Sequence, residues 1–219
     1  MSLRELKKEQ TRQRIAETAW RLFAERGFDR VTVVEVAREA QVSEATVFNY
    51  FPIKEDLFYS RFEAFGEQLV EAVRSREPGE SALTAFRRQL LASGGLLARV
   101  EAGDTDALNQ LRTVNRMIAN SPALQAREQR TLTTCADALA ATLAAESGAP
   151  DDEFTARVTA NALLGVHRAL LDHVRHRILT DDEPARLAAD VQRLAARAFA
   201  LLEDGMRDHA AGPAHPSAG

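Results

Sequence analysis

Cysteine occurs once in this chain, at position 135, so no internal disulfide is available and a reducing cytoplasm is the simplest compartment. Cys135 stands among Ala and Leu, a setting that reads as a buried, inert thiol rather than a redox sensor. Aromatic residues make up only 6% of the chain while Ala is abundant, which favours helix over strand. Long apolar runs are missing, and no segment has the length a membrane span needs. The first stretch, MSLRELKKEQTRQR, has no apolar run behind its charges, as a signal peptide would. The expectation is a soluble, cytoplasmic protein with no membrane partner.

Enzyme signatures are missing too: there is no Walker loop, GxGxxG, GxSxG or HExxH. The paired carboxylates Asp104/Asp106, Asp151/Asp152 and Asp181/Asp182 sit at expected helix starts, where they complement the macrodipole. HRALLDHVRH gathers His167, Asp172, His173 and His176. Closed metal sites need three or four convergent ligands, however, and cations are favoured in a helix's last turns regardless. No enzyme activity, metal or cofactor is expected.

Charge is unevenly spread. Residues 1–14 carry Arg4, Lys7, Lys8, Arg12 and Arg14 against Glu5 and Glu9, whereas residues 63–219 hold 17 basic and 22 acidic side chains. A basic head on an acidic body suggests a local anionic partner. On charge alone, a solvated helix start also accounts for it.

Helical punctuation is dense. Ile15, Ala19, Leu22 and Phe23 form an amphipathic stripe that stops at ERGF. There Gly27 is placed for a left-handed helix end and Phe28 to pack back on Phe23. Thr32 with Glu35 makes a capping box, and Val31 with Val36 a hydrophobic staple, opening a second helix that runs out near Gln41. Ser43 caps a third, with Val42 and Val47 as staple, and Pro52 limits it to about two turns. Two short helices joined by a tight turn have helix-turn-helix spacing.

Beyond this head, further helices are expected over about 54–76, from Ser81 to about Val100 with a kink at Gly94 and Gly95, and from AGDTD. Others follow from Ser121–Pro122, over about 152–178, and at the end along Leu187, Val191, Leu194, Ala198 and Leu201. The tail, 212–219, has the composition of a disordered end. The fold class is all-α, about nine helices, divided into a head over 1–53 and a larger helical domain over 54–211.

A reading helix must expose short polar groups near its N-terminus and hide apolar ones behind. On the third helix Ala45, Thr46 and Asn49 share a face, while Val47 and Phe51 point back to the core. Asn49 suits a bidentate contact with adenine, and the methyl of Ala45 or Thr46 suits thymine. Phe48 and Tyr50 offer a ring and a hydroxyl to the backbone. Lys54 opposes the dipole at a helix start unless an anion docks there, and Thr32 sits at another such start. Yet Thr32 and Ser43 would be caps in any protein, Tyr50 suits a core, and a helix-turn-helix shape also occurs in bundles that bind no DNA. The residues alone leave both readings open.

Thr11 to Phe58, TRQRIAETAWRLFAERGFDRVTVVEVAREAQVSEATVFNYFPIKEDLF, resembles the DNA-binding domain of the TetR family of bacterial transcriptional regulators. LFAERGF, Thr32, VS before the third helix and YFPIKEDL together carry the resemblance; the remaining three quarters match only in helical layout. Two departures stand out: Gln41 where the family often has Gly, and Phe48 where Tyr is common. The resemblance implies a regulator that binds double-stranded operator DNA through Thr32, Ser43, Ala45, Thr46, Phe48, Asn49, Tyr50 and Lys54. It implies a homodimer through the last two long helices, where Ala162, Gly165 and Ala169 form a small-residue stripe that otherwise packs inside the subunit. It also implies a small, often apolar effector in the second domain, for which Phe62, Phe65, Phe86, Met117, Asn115, Asn161 and His167 are candidates. Repression relieved by the effector is the default sign. The alternatives are a helical enzyme or metal-binding protein with a borrowed head, and a ligandless architectural DNA-binding module.

Overall fold

The computed structural model describes residues 2–92, 96–147, 152–180 and 186–205, and among them every regular element is helical. In order these are α1 (Leu3–Arg26), α2 (Val33–Glu39), α3 (Glu44–Tyr50), α4 (Lys54–Tyr59), α5 (Glu63–Arg74) and α6 (Ala82–Ala92). They continue as α7 (Leu96–Glu101), α8 (Thr105–Asn120), α9 (Pro122–Ser147), α10 (Asp152–Thr180) and α11 (Leu187–Glu203). The Gly94–Gly95 kink and the 212–219 tail lie outside the described residues.

Local signals place most helix ends. Thr32 and Glu35 form the reciprocal capping box, and Ser43 accepts the Thr46 amide at 3.1 Å. Ser81 accepts from Thr84, and Asp104 from Ala107 at 3.0 Å, capping α6 and α8. Pro122 opens α9, where its missing N–H costs nothing. At Gly27 the outcome differs from expectation. The glycine has φ 86° and ψ 149°, an extended conformation of positive φ rather than the left-handed helical one, so the chain leaves α1 without the expected left-handed turn. Phe28 still folds back on Phe23, ring centroids 5.0 Å apart.

The helix expected over 54–76 is broken between Tyr59 and Glu63. The Ser60 hydroxyl donates to the Leu57 carbonyl at 3.0 Å, and the Phe62 and Phe65 amides bond three residues back rather than four. Local side-chain bonding and a tightened turn thus interrupt the ladder.

The chain divides into two compact units. The first takes residues 1–68 and 112–133, the second 69–111 and 134–219. In the first, α1 to α4 close around Ile15, Leu22, Phe23, Val36, Val47, Phe51 and Phe58, and Val114, Met117, Ile118 and Leu124 of α8 and α9 complete that same core. Three polar bonds tie the later segment to the earlier one. Ser121 donates to Asp29 at 2.8 Å, the Tyr59 hydroxyl donates to the Leu124 carbonyl at 3.0 Å, and Arg127 donates to Asp56 at 2.9 Å. In the second unit, Phe86 meets Phe199 edge-on at 6.4 Å. Val100, Ala107, Leu111, Val174, Ile178 and Leu187 form a further apolar cluster there. Arg76 grips Glu146 through both guanidinium nitrogens, at 2.6 and 2.5 Å. Cys135 is buried, and burial pushes its thiol pKa up. No described helix is long and apolar enough to cross a membrane.

Candidate nucleic-acid interface

The turn between α2 and α3 is a Schellman motif. The Val42 amide reaches the Ala37 carbonyl at 2.9 Å, and the Gln41 amide reaches Arg38 at 3.1 Å. The motif needs its C′ residue at positive φ, and Gln41 adopts φ 54° without being glycine. Val42 then packs on the core and Ser43 starts α3. The turn that angles the two helices is therefore built from backbone bonds, with one strained side chain at its apex.

This arrangement rotates α3 so that Val47 and Phe51 are buried while Ala45, Phe48 and Asn49 face outward. Phe48 leaves 45% of its surface exposed, unusual for a ring on a helix this short. Thr46 is half-buried, and its hydroxyl shares a 2.8 Å bond with that of Ser43. Its methyl is therefore the part suited to a base, and Ser43 acts first as a cap. Tyr50 is half-buried and packs against the core of the unit, so it serves packing as well as any backbone contact.

The two helix-start candidates are also engaged within the chain. Thr32 donates its hydroxyl proton to Glu35 at 2.9 Å while accepting the Glu35 amide. These bonds from Thr32, backbone first, hold the Glu35 carboxyl below its usual pKa. The Lys54 ammonium lies over the Phe28 ring, 4.2 Å from its centroid, with Phe23 at 5.9 Å. Partial burial lowers its pKa, opposed by Asp29, Glu55 and Glu35. Lysine at the first position of α4 is therefore offset by aromatic faces, together with Glu55 and Asp56 in the same turn.

Arg12 of α1 packs beside α3, although no residue type on α3 points to it. Its guanidinium lies 5.2 Å from the centroid of Phe51, the residue that ends α3. Helical phase was the available signal, since Arg12 lies three residues ahead of the buried Ile15.

The effector candidates are divided between the two compact units. Phe62, Phe65 and Asn115 belong to the first unit, and Phe86, Asn161 and His167 to the second. Phe62 packs on Phe58 and Tyr59, Phe86 and Asn115 are buried, and Asn161 is exposed with its amide on the Arg157 carbonyl at 2.7 Å. His167 is buried, and burial lowers its pKa to about 4. A cleft of about 330 Å³ in the first unit lies between the α1–α2 turn and α8, bordered by Arg26, Arg30, Arg116 and Asn120. Of the candidates, only Met117 lines it.

Comparison with known proteins gives this geometry a setting. Residues 15–60 match the family model described as bacterial regulatory proteins, tetR family, and residues 92–207 match that of the MftR C-terminal domain. The transcriptional regulator TcmR of Streptomyces glaucescens is 28% identical over 189 residues, covering 85% of this chain and 82% of its own. MftR of Mycobacterium tuberculosis is 26% identical over 163 residues, covering 74% of this chain and 79% of its own. Among solved structures, NalD of Pseudomonas aeruginosa superposes with a TM-score of 0.55 at 19% identity, over 89% of this chain and 96% of that one, a likeness of fold. With a capped, outward-facing third helix at one end and a family model covering more than half of its length, the chain belongs to the TetR family of bacterial regulatory proteins, DNA-binding transcriptional regulators rather than enzymes.

Proposed function

We propose that this regulator reads a near-palindromic operator as a homodimer, each subunit laying α3 in a major groove with Ala45, Thr46, Phe48 and Asn49 toward the DNA. The observation that carries the reading is the division of α3. Val47 and Phe51 anchor it in the core, leaving a short, capped edge of Ala, Asn and ring outside. Asn49 supplies base recognition, and Phe48 lies against sugar and backbone. Lys54, Ser43, Thr32 and Tyr50 serve the phosphates. For Lys54 this means an ammonium shared between a phosphate and the Phe28 ring.

The dimer is assigned to α10 and α11. Phe154 and Val158 leave 75% and 53% of their surfaces exposed. Gly165 stands further along the same helix, and a Cβ added there would meet nothing within 4 Å. That open face, apolar at one end and with a glycine further along, suits the close approach of a second helix. The regulatory sign is repression, relieved by a small apolar effector in the helical domain. Such a molecule lowers operator affinity only through its preference for one arrangement of the heads. Helices α8 and α9, which contribute to both compact units, and the Arg127–Asp56 and Tyr59–Leu124 bonds to α4 are the elements such a preference would work through.

The test is selection of bound duplexes from a random pool with the full-length protein, followed by titration of the enriched site. Asn49→Ala is expected to relax preference at one base position, and Lys54→Ala to weaken all sites and flatten the salt dependence by about one. Shifts abolished equally by random competitor would leave an architectural module instead. Equal loss of base preference in both variants would overturn the assigned roles.

A further inference from the structure

Helix α1 is longer than its core. Its buried residues are Ile15, Ala19, Leu22 and Phe23, and none of the residues from Leu3 to Arg14 is buried. The first twelve residues thus extend about 18 Å with no core of their own. Their start is fixed by a reciprocal capping box, in which Ser2 accepts the Glu5 amide at 3.2 Å and Glu5 accepts the Ser2 amide at 2.6 Å. Glu5 is thereby used within the helix.

The cations of this extension are not scattered. Arg4, Lys8 and Arg12 fall four residues apart and continue, toward the N-terminus, the face that Ile15, Ala19 and Phe23 bury. Where the apolar stripe runs out, a basic one takes its place. Arg12 shows which way the stripe points, because its guanidinium lies over Phe51 at the end of the reading helix. Lys8 and Arg4 lie about 6 and 12 Å further along the same line. Among the described residues Arg4, Lys7 and Lys8 have no acidic partner.

We infer that the N-terminal half of α1 is a second DNA-contacting element, a phosphate rail on which Arg4 and Lys8 hold the duplex backbone outside the bases read by α3. The inference rests on the DNA-reading role of α3. A basic helix face bordering that element, on which Arg4 and Lys8 have no acidic partner among the described residues, is complementary in charge to a polyanion. A reach of about 12 Å beyond Arg12 corresponds to three or four base pairs of flank on each side of the operator, contacted without regard to sequence.

Two duplexes test it: the selected operator cut at the outermost base pair for which the protein shows preference, and the same operator lengthened by about six base pairs of arbitrary sequence at each end. Full-length wild type and the double variant Arg4→Gln/Lys8→Gln are titrated against both, between about 50 and 200 mM salt. Wild type is expected to prefer the long duplex. With two such contacts per subunit, that preference falls on the order of a hundredfold across the salt range. The double variant is expected to bind the short duplex as wild type does, which also reports its folding, and to lose the preference for length. A wild type indifferent to flank length, or a variant that keeps the preference, overturns the rail while leaving α3 as the reader. A wild type that cannot distinguish the operator from random duplex overturns both.

Discussion

Replacing Gln41 by Gly should stabilise the protein. Gln41 occupies the C′ position of the turn at φ 54°, where a Cβ costs roughly 1–2 kcal/mol. Glycine removes that strain but raises the entropy of the unfolded chain, a cost of about 0.5–1 kcal/mol. The side chain is exposed, so little packing is lost. The net gain is about 0.5–1 kcal/mol, or roughly 1–4 °C in Tm for a chain of this size. Gln41→Val is the counterpart: a β-branched residue at the same φ should lower stability by about 1 kcal/mol or more. Urea denaturation of the three proteins at one fixed concentration gives the order Gly above Gln above Val, with unchanged m-values. Glycine falling below glutamine would refute the strain argument and imply that the Gln41 side chain contributes a stabilising contact. Operator affinity of the glycine variant should stay close to wild type, because the Val42–Ala37 and Gln41–Arg38 backbone bonds hold the turn in either protein.

Three further outcomes follow from the same structure. His167 has a folded pKa near 4 against an unfolded value near 6.5, so the unfolded chain takes up the proton first. Its contribution is whole above pH 6.5 and is lost as pH falls toward 4, by about 3 kcal/mol, and His167→Gln should flatten that limb of a stability-versus-pH curve. Arg127→Met removes the partner of the largely buried Asp56 and should cost about 1–3 kcal/mol; a double-mutant cycle with Asp56→Asn that returns no coupling energy would count against the bond. Gly165→Leu has open space in its own subunit, so the monomer fold should persist by circular dichroism while sedimentation shows a weakened dimer; an unchanged dimer would move the interface elsewhere.

What was legible in the sequence was local. The stripe of α1, the Thr32–Glu35 box, the Ser43 cap and the stop at Pro52 each depend on residues within a turn or two of one another, and each stands in the fold as read. The departure at Gln41 was also visible as a residue type, although its positive φ was not. Longer-range physics was hidden. The interruption after Tyr59 comes from Ser60 bonding back to Leu57, in a segment whose apolar periodicity runs on regardless. Lys54 meets Phe28 across 26 positions of sequence, a pairing that no local pattern encodes. On α3, residue type on a two-turn helix predicted exposure well at Ala45, Phe48 and Asn49. It did worse at Thr46 and Tyr50, where a hydroxyl bond and core packing compete. The effector candidates are aromatic, methionine, amide and histidine residues of expected helices, and nothing in their spacing tells which unit each belongs to.

The core of the first unit is assembled from two stretches of chain, and this orders events during synthesis. Residues 1–68 emerge first, while Val114, Met117, Ile118 and Leu124 share the buried core with Phe58 and Tyr59 and belong to a later stretch that ends at residue 133. At ordinary elongation rates this leaves a lag of roughly 3–13 s in which a nascent DNA-reading segment has its helices encoded but its apolar side uncovered. An excised head would be left permanently in that condition, inclined to aggregate and poorly suited to stand in for the whole protein. The core behind the regulator's third helix is thus complete only after more than half of the chain has been made.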